Sequence, residues 1–244
     1  MNTFEFTVDG VRYSVNDDNT TVTVAGYPSG SKPMGDLTIP ESVTYGGISY
    51  PVTSIDDWAF DGCSGLTSVT IGNSVTEIGD YAFRGCRGLT SVTIGNSVTS
   101  IGGSAFYGCS GLTSITIPNS VTSIRGGAFG GGAAFGSCRG LTSVTIGKSV
   151  TSIGEKAFWG CRGLTRIDAY PNPEKVSIGL SVFFGVPKDG TLHVLPKYLS
   201  AYRTASQWKV FTNIKDDLTE TGDINLDGKV NVTDVTTLMN MIIN

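Results

Sequence analysis

The 244-residue sequence has few of the side chains that usually carry catalysis. It contains a single histidine, His193, in the apolar stretch TLHVL. Metalloprotease motifs and most nucleophile–base triads depend on histidine, so this scarcity excludes most of them. The adjacent carboxylates Asp17 with Asp18 and Asp56 with Asp57 point to opposite faces of an extended chain, unlike the converging acids of a glycosidase. We therefore expect a protein that is not an enzyme and a structural role for His193.

Charge and long apolar runs are also sparse. Charged residues make up 16% of the sequence, and no apolar run approaches the roughly 20 residues that span a bilayer. Residues 63–167 carry eight basic and three acidic side chains, whereas residues 1–62 and 216–244 are acidic. Nucleic-acid-binding proteins carry a denser basic face, so nucleic acid is not an expected partner. The N-terminal MNTFEFTVDG alternates like a strand and not like a signal peptide, so either the protein is cytosolic or a leader preceded this sequence.

Cysteine is infrequent but periodic, with separations of 23, 23, 29 and 23 residues. No paired C-x-x-C motif of a metal site is present. Equivalent positions in stacked coils lie one coil apart, which is wider than the Cβ separation of about 3.8 Å in a disulfide. We predict buried free thiols that pack as small hydrophobic side chains. The five are Cys63, Cys86, Cys109, Cys138 and Cys161.

The cysteines mark an internal repeat, C-x-G-L-x-x-[VI]-x-I-x-x-S-V-x-x-I-x-x-x-A-F-x-x. In one copy Val69 and Ile71 alternate with Ser68 and Thr70, which predicts a strand with one apolar and one polar face. One coil cannot bury its apolar residues alone, so stacked coils must share a continuous core. We predict a mainly β repeat solenoid of about six 23-residue coils. A glycine precedes each strand, where we expect a sharp turn, at Gly65, Gly88, Gly111, Gly140 and Gly163.

The motifs I-[GP]-x-S-V-T-x-I and A-F-x-x-C, repeated over residues 37–167, resemble the BspA-like class of bacterial leucine-rich repeats. The resemblance implies a right-handed leucine-rich-repeat solenoid. Residues 1–36 would form a hairpin cap, and residues 168–215 a C-terminal cap with a strand and a short helix. Members of this class are mostly secreted or surface-attached proteins of host-associated bacteria, and some are adhesins. The resemblance therefore implies a secreted or surface-displayed protein that binds a protein or glycan on a host or bacterial surface.

One copy of the repeat carries six extra residues near 126–136. Its stretch GGAFGGGAAFGSC offers both Phe129 and Phe135 for the repeated phenylalanine position. The insertion is either a mobile binding loop or a glycine-rich lengthening of a surface turn, which costs little free energy.

The polar positions of the strands are monotonous. A ladder of Ser and Thr is more typical of a sheet-stabilising stack than of a recognition surface. These positions are Ser68, Thr70, Ser91, Thr93, Ser114, Thr116, Ser143 and Thr145.

Variable residues next to the A-F and Cys positions provide a candidate ligand surface. Arginine, tyrosine and tryptophan dominate interface hot spots, and stacking aligns equivalent positions along one edge of the solenoid. We predict an aromatic–basic edge strip there; the alternative is a solvated edge that keeps the solenoid soluble. The strip consists of Arg87, Arg139, Arg162, Tyr107 and Trp159.

The last segment, residues 216–244, contains a linker and the spacing of a calcium-binding loop. Calcium requires several oxygen ligands around a tight turn, and Gly228 allows that turn. A helix with an apolar stripe is expected after the loop. The predicted ligands are the side chains of Asp223, Asn225, Asp227, Asn231 and Asp234 and the main-chain carbonyl of Lys229.

The pattern G-D-x-N-x-D-G-x-V-N-x-x-D-x-x-x-L resembles one segment of a type I dockerin. Dockerins attach extracellular modules to cohesin-bearing scaffolds, and a full dockerin has two such segments. The resemblance implies a cohesin-like partner. Three hypotheses follow: an adhesin-like surface protein, a non-catalytic component of an extracellular polysaccharide-degrading assembly, or a structural spacer.

Overall fold

The computed structural model describes residues 4–126 and 134–219. The strands are β1 (Glu5–Val8), β2 (Val11–Val15), β3 (Val22–Gly26), β4 (Gly35–Ile39), β5 (Ser42–Tyr45), β6 (Ile48–Ile55), β7 (Leu66–Ile71), β8 (Glu77–Ile78), β9 (Ser91–Thr93), β10 (Ser100–Ile101), β11 (Ser114–Ile117), β12 (Ser123–Ile124), β13 (Ser143–Ile146), β14 (Ser152–Ile153), β15 (Arg166–Ala169), β16 (Ser177–Ile178), β17 (Thr191–Val194) and β18 (Asn213–Lys215). An α-helix, α1 (Leu199–Thr204), and 3-10 turns at Pro173–Lys175, Pro196–Tyr198 and Trp208–Val210 complete the described elements. Within these two ranges, the helices contain no candidate for a membrane span.

Two ladders of parallel strands run along the molecule and confirm the predicted mainly β solenoid. The first ladder is formed by β4, β7 and β9 and then by β11, β13, β15, β17 and β18. The second is formed by β6, β8, β10, β12, β14 and β16, with β3 paired to β6. Equivalent residues of successive copies are direct partners, as Ser114 is to Ser143 and Ile115 to Val144. The sequence repeat is therefore also the register of the sheets.

A stack of phenylalanine rings runs through the core of every described coil. Successive ring centroids lie 5.3 to 5.9 Å apart and the planes differ by 4 to 11°. Phe135 occupies this position in the coil with the insertion, with its ring 5.3 Å from that of Phe106, whereas Phe129 lies outside the described residues. The six extra residues therefore leave the stack unchanged. The stack consists of Phe60, Phe83, Phe106, Phe135, Phe158 and Phe183.

The five cysteines are buried and free, as predicted. Each thiol from the second onward donates a hydrogen bond to the main-chain carbonyl of the stacked phenylalanine one coil earlier. Burial raises the pKa of Cys86 and Cys161 to about 12, and it raises the pKa of the other three thiols as well. The Sγ–O pairs are Cys86–Phe60 at 3.3 Å, Cys109–Phe83 at 3.2 Å, Cys138–Phe106 at 3.1 Å and Cys161–Phe135 at 2.9 Å.

Glycine is required before the strands for a different reason from the sharp turn that was predicted. None of the five has a positive φ angle, so no unusual turn requires them. A Cβ built at Gly111 or Gly163 would instead lie 2.7 Å from the carbonyl oxygen of Arg87 or Arg139. At four of the five positions, Gly88, Gly111, Gly140 and Gly163, glycine is needed because the backbone of the adjacent coil lies too close for a side chain.

The C-terminal end of the stack is closed by aromatic residues that follow β17. The indole of Trp208 lies 5.0 Å from the Phe183 ring and 5.2 Å from the Tyr202 ring, and Phe211 packs edge-on against Phe183. The ladders thus continue past residue 167, where the sequence pattern fades, because Phe183 still fills the stacked position. These contacts cover the last coil with a hydrophobic cluster.

His193 lies in β17 and is buried, which accords with the structural role expected for it. Its Nδ1 is 2.6 Å from Oδ1 of Asp217. This hydrogen bond lowers the pKa of the Asp217 carboxyl. The contact ties the segment after β18 to the last full coil.

The ring stack should make Phe135 far more important to stability than an exposed phenylalanine. Phe135→Ala removes a fully buried ring and should lower the free energy of unfolding by about 3–5 kcal/mol. Phe184→Ala is the matched control, because that ring is 64% exposed, and it should cost less than about 1 kcal/mol. Urea unfolding followed by circular dichroism measures both. Equal effects would contradict the assignment of Phe135 to the stack.

The buried thiols should be inert in the folded chain. At pH 8 a thiol-specific reagent should label none of the five in native protein and all five in denaturant, because only a thiolate reacts. The folded pKa of Cys86 and Cys161 lies above the ordinary value of about 8.5. The stability due to the neutral thiols is therefore complete below that value and is lost as the pH rises toward 12. Rapid native labelling at pH 8, or stability that increases above pH 9, would contradict this assignment.

Candidate functional site

An open groove with a volume of about 760 Å³ lies on the solvent face of the first ladder. Its floor is the face of β9, β11 and β13, its side is the I-[GP]-x-S-V segment of successive coils, and its end is formed by the C-terminal cap. The lining residues are Ser91, Val92, Thr93, Ile94, Asn96, Ser114, Thr116, Ile117, Pro118, Asn119, Thr145, Gly147, Lys148, Ser149, Val150, Thr151, Tyr170, Asn172, Lys175, Leu195, Lys197 and Tyr198.

The floor of the groove consists of hydroxyl groups in register. Thr116 and Thr145 are direct partners on β11 and β13, and Ser114 precedes Thr116 on the same face. Strand residues alternate between faces, so the apolar neighbours Ile115 and Ile117 point into the core. The main-chain groups of β13 are used by β11 and β15 on either side, whereas β11 is paired only with β13. The floor therefore offers side-chain hydroxyls, which both donate and accept hydrogen bonds.

The side of the groove is built by one turn of each coil. The main-chain amide of Asn96 donates to Oδ1 of Asn73 at 2.9 Å, and that of Lys148 donates to Oδ1 of Asn119 at 2.9 Å. The same contact thus recurs from coil to coil and fixes the turn. Lys148 occupies a position at which the three preceding copies carry asparagine, and its side chain is exposed.

The C-terminal cap holds the end of the groove in place. The buried hydroxyl of Tyr202 on α1 donates to the carbonyl of Pro171 at 2.8 Å. The side chain of Asn172 accepts a hydrogen bond from the amide of Glu174 at 3.0 Å and caps the turn that carries Lys175. These contacts anchor the segment with Tyr170 and Lys175 to the cap, so the groove has a fixed end wall.

The charged side chains that line the groove are all positive. Its lining contains three lysines, Lys148, Lys175 and Lys197, and no carboxylate among the described residues. The ammonium of Lys197 lies 5.1 Å from the ring centroid of Tyr198. Burial raises the pKa of the Tyr170 phenol, as does the charge of Asp168, while Arg166 opposes the shift. At neutral pH Tyr170 is therefore an uncharged hydroxyl beside a positive end wall.

Only three of the five residues of the predicted edge strip lie together. Arg139, Trp159 and Arg162 line a small cavity of about 60 Å³ together with Phe184, whose ring stacks on Trp159 at 6.4 Å. Arg87 belongs to the same column as Arg139, but the coil with Ser110 lies between them.

Tyr107 is separated from Trp159 by the coil that carries Gly136 at the equivalent position. Arg87 and Tyr107 are not among the residues of the small cavity. The strip is thus a small cluster with two outlying members.

A second aromatic–basic cluster, which the sequence analysis did not identify, lies toward the N-terminal end. The rings of Trp58 and Tyr81 stack at 4.0 Å, and the guanidinium of Arg84 lies 4.6 Å from the Trp58 ring. Arg84 also forms two hydrogen bonds with Asp61, at 2.7 and 3.0 Å. The charge of Arg84 is already paired within the chain, so the cluster is better suited to holding adjacent coils together than to binding a ligand.

In the part of the chain that the structure describes, no group of three or more His, Cys, Asp and Glu side chains could hold a metal ion. The predicted calcium ligands Asp223, Asn225, Asp227, Lys229, Asn231 and Asp234 lie outside the described residues. No acid–base pair lines the groove among those residues, because its ionisable side chains are lysines and tyrosines.

Sequence reasoning assigned no ligand surface to the strand face and so missed the groove. The floor is as uniform as predicted, and the chemical variety comes from its edges. One signal was present, namely lysine at position 148 in place of the asparagine of earlier copies. The residues of the end wall, such as Tyr170 and Tyr198, follow no repeat, so no pattern aligned them with the floor.

Comparison with known proteins places this geometry in a family context. The family model described as BspA type leucine rich repeat region matches six copies, over residues 34–132 and 131–188. A leucine-rich cell surface protein from Faecalibacterium prausnitzii has 30% sequence identity and a TM-score of 0.65, over 91% of this chain and 56% of that one. No curated protein matches the sequence.

Two other solved structures are similar. A leucine-rich-repeat protein from Bacteroides ovatus has 29% identity and a TM-score of 0.60, over 87% of this chain and 53% of that one. The leucine-rich-repeat protein of T. pallidum has 22% identity and a TM-score of 0.58, over 88% of this chain and all of that one, and it shows the fold alone. The chain spans little more than half the length of the F. prausnitzii and B. ovatus proteins.

Proposed function

The chain belongs to the BspA-type leucine-rich-repeat family, and on that premise we propose that it is a secreted or surface-displayed bacterial binding protein whose protein or glycan ligand occupies the groove. The observation that carries the proposal is the groove itself, a 760 Å³ opening with an in-register hydroxyl floor and a fixed end wall. The similar F. prausnitzii protein is described as a cell surface protein, which supports the proposed location.

A binding role suits the chemistry of the groove better than catalysis does. Leucine-rich-repeat solenoids are scaffolds, and their function depends on the sites they carry. General acid–base catalysis needs a group whose pKa lies near the working pH, most often histidine or a carboxylate. Such a group is absent from the described lining of the groove, whereas hydroxyls, amides and exposed cations are groups that hold a ligand by hydrogen bonds and charge.

The groove is also a better ligand site than the edge strip. Ligand pockets commonly measure about 300–1,000 Å³, and the groove falls in that range. The cavity between Arg139 and Trp159 has about 60 Å³, which is too small for more than the tip of one side chain. The strip remains a second candidate, because arginine and tryptophan are the side chains that protein partners use most.

Blocking the groove should abolish ligand capture. Thr116→Trp places an indole on the groove floor, and Thr70→Trp is the matched control, because Thr70 lies on the same face of the ladder but outside the groove. Immobilised matrix proteins and polysaccharides should be captured by the intact chain and by the control. We expect a loss of about tenfold or more for Thr116→Trp in surface plasmon resonance.

A third variant separates the two surfaces. Arg139→Ser with Arg162→Ser removes the edge strip, and serine is tolerated there because Ser64 and Ser110 occupy equivalent positions. Capture should survive this change. Loss of capture in the double variant, with retention in Thr116→Trp, would move the ligand to the edge strip. Equal capture by all variants would refute both surfaces and place the ligand elsewhere on the chain, whereas no capture by the intact chain would favour the spacer hypothesis.

We further propose that residues 223–234 bind one calcium ion and act as an attachment module for a cohesin-like partner. The proposal is supported by the order of ligands along the sequence: three aspartates and two asparagines alternate at the positions that wrap around one ion. Such a module would make the chain a non-catalytic component of an extracellular polysaccharide-degrading assembly, with the solenoid as its cargo.

Calorimetric titration should show one calcium ion per chain. Asp223→Ala or Asp234→Ala should remove the binding heat, because each takes one carboxylate from the ligand set. A chain that ends at Leu218 serves as the control and should show no binding. Binding that persists in the shortened chain would place calcium elsewhere, and the absence of heat in the intact chain would refute the module.

A further inference from the structure

We infer that the groove takes an acidic polysaccharide, a chain of sugar rings that carries carboxylate or sulfate groups. This inference rests on the proposed function, since it assumes that the groove is the ligand site, and it adds the chemical class of the ligand. Three features of the groove support it: lysines without a described carboxylate partner, a floor of hydroxyls, and aromatic rings at the charged end.

Two of the three lysines of the groove have no carboxylate partner among the described residues. Within residues 4–126 and 134–219, neither Lys148 nor Lys175 has a carboxylate partner within 4.0 Å, and both side chains are exposed. Some other cations of the described chain are paired, as Lys156 is with Glu155 at 2.8 Å and Arg84 is with Asp61. Cations that line a groove without a counter-charge attract an anionic ligand and accelerate its association.

The floor favours a sugar chain over a peptide. Peptides are commonly held by main-chain pairing at a free strand edge or by apolar pockets for their side chains. In the groove, β13 is paired on both sides, β9 lies beside the unpaired edge of β11, and the outward groups are the hydroxyls of Ser114, Thr116 and Thr145. The rows of hydroxyls repeat at the strand spacing of about 4.8 Å. Such a surface matches a ligand that presents hydroxyls at short, regular intervals along its length.

The end wall combines rings with charge. Tyr170 and Tyr198 are half-buried beside Lys175 and Lys197. A tyrosine offers an apolar ring face and a polar tip, so it can pack on a sugar ring while its hydroxyl binds a neighbouring oxygen. The acid groups of the ligand would then lie against the lysines, and the neutral part of the chain would extend over the floor toward β9.

The test uses the full chain and matched pairs of polysaccharides. Polygalacturonate is compared with its methyl-esterified form, and dextran sulfate with dextran, so that each pair differs only in the acid group. Poly-L-glutamate represents an acidic peptide. Binding is measured by biolayer interferometry at 50 and 200 mM NaCl. We expect at least one acidic polysaccharide to bind about tenfold more tightly than its neutral counterpart and to weaken at the higher salt concentration.

Matched variants locate the charge. Lys148→Asn restores the residue found in the preceding copies, and combined with Lys175→Gln it removes two charges from the groove. Lys209→Gln removes an exposed charge from outside the groove lining. The double variant should lose about tenfold in affinity for the acidic polysaccharide, and the control should change by less than about twofold.

The outcomes separate this inference from the proposed function. Tighter binding of poly-L-glutamate than of either acidic polysaccharide, equal binding of acidic and neutral forms, or an unchanged double variant would overturn it. A ligand that is lost with Thr116→Trp but keeps its affinity in the double variant would leave the groove as the site and refute only the acidic class. Preference for polygalacturonate or for dextran sulfate identifies the acid group as carboxylate or sulfate.

Discussion

The stacking of each coil on the next, at the spacing of hydrogen-bonded strands, constrains the rest of the molecule. Parallel partners such as Ser100 and Ser123 fix the distance between coils, and every side chain that recurs must fit that distance. The phenylalanine rings stack at 5.3 to 5.9 Å, and the Cys109 thiol reaches the Phe83 carbonyl at 3.2 Å. Where coils approach too closely for a side chain, as at Gly163, only glycine fits. One spacing therefore selects the residues at several positions of the repeat.

The groove is a consequence of the same constraint. Hydroxyls such as those of Thr116 and Thr145 are aligned because the strands that carry them are in register, and the floor needs no other support. Its end is fixed differently, by the Tyr202 hydroxyl on the carbonyl of Pro171 and by the aromatic cluster around Trp208. The cap that closes the hydrophobic core thus also builds the charged wall. Stability of the last coil and shape of the groove are consequently linked.

The sequence predicted the repeated part of this structure well, because each core residue recurs at the same position in several copies. Burial of Phe83 and Cys86 and the polar face of β7 followed from period and alternation alone. Phe135 and Phe129 both remained candidates in the sequence analysis, although only Phe135 has the A-F-x-x-C spacing to Cys138. The distances to Phe106 and Phe158 place Phe135 in the stack. The end wall was missed because its residues occur once and are brought to the floor by contacts between distant segments. The glycines were predicted correctly in position but for a reason of turn geometry, whereas contacts between coils decide them.

A repeat scaffold gains ligand specificity at positions where a residue departs from the repeat without changing how the coils stack. The main-chain amide of Lys148 donates to Asn119 at 2.9 Å, as that of Asn96 donates to Asn73. The exchange of asparagine for lysine therefore leaves the backbone hydrogen bond unchanged. The side chain, however, changes from a neutral amide to a cation that faces the groove. A uniform floor of hydroxyls can bind many polar ligands. The few residues at its border that depart from the repeat determine whether a charged or a neutral ligand binds. The coils can therefore remain nearly identical while the ligand changes, since structure depends on the repeated positions and recognition depends on the exceptions.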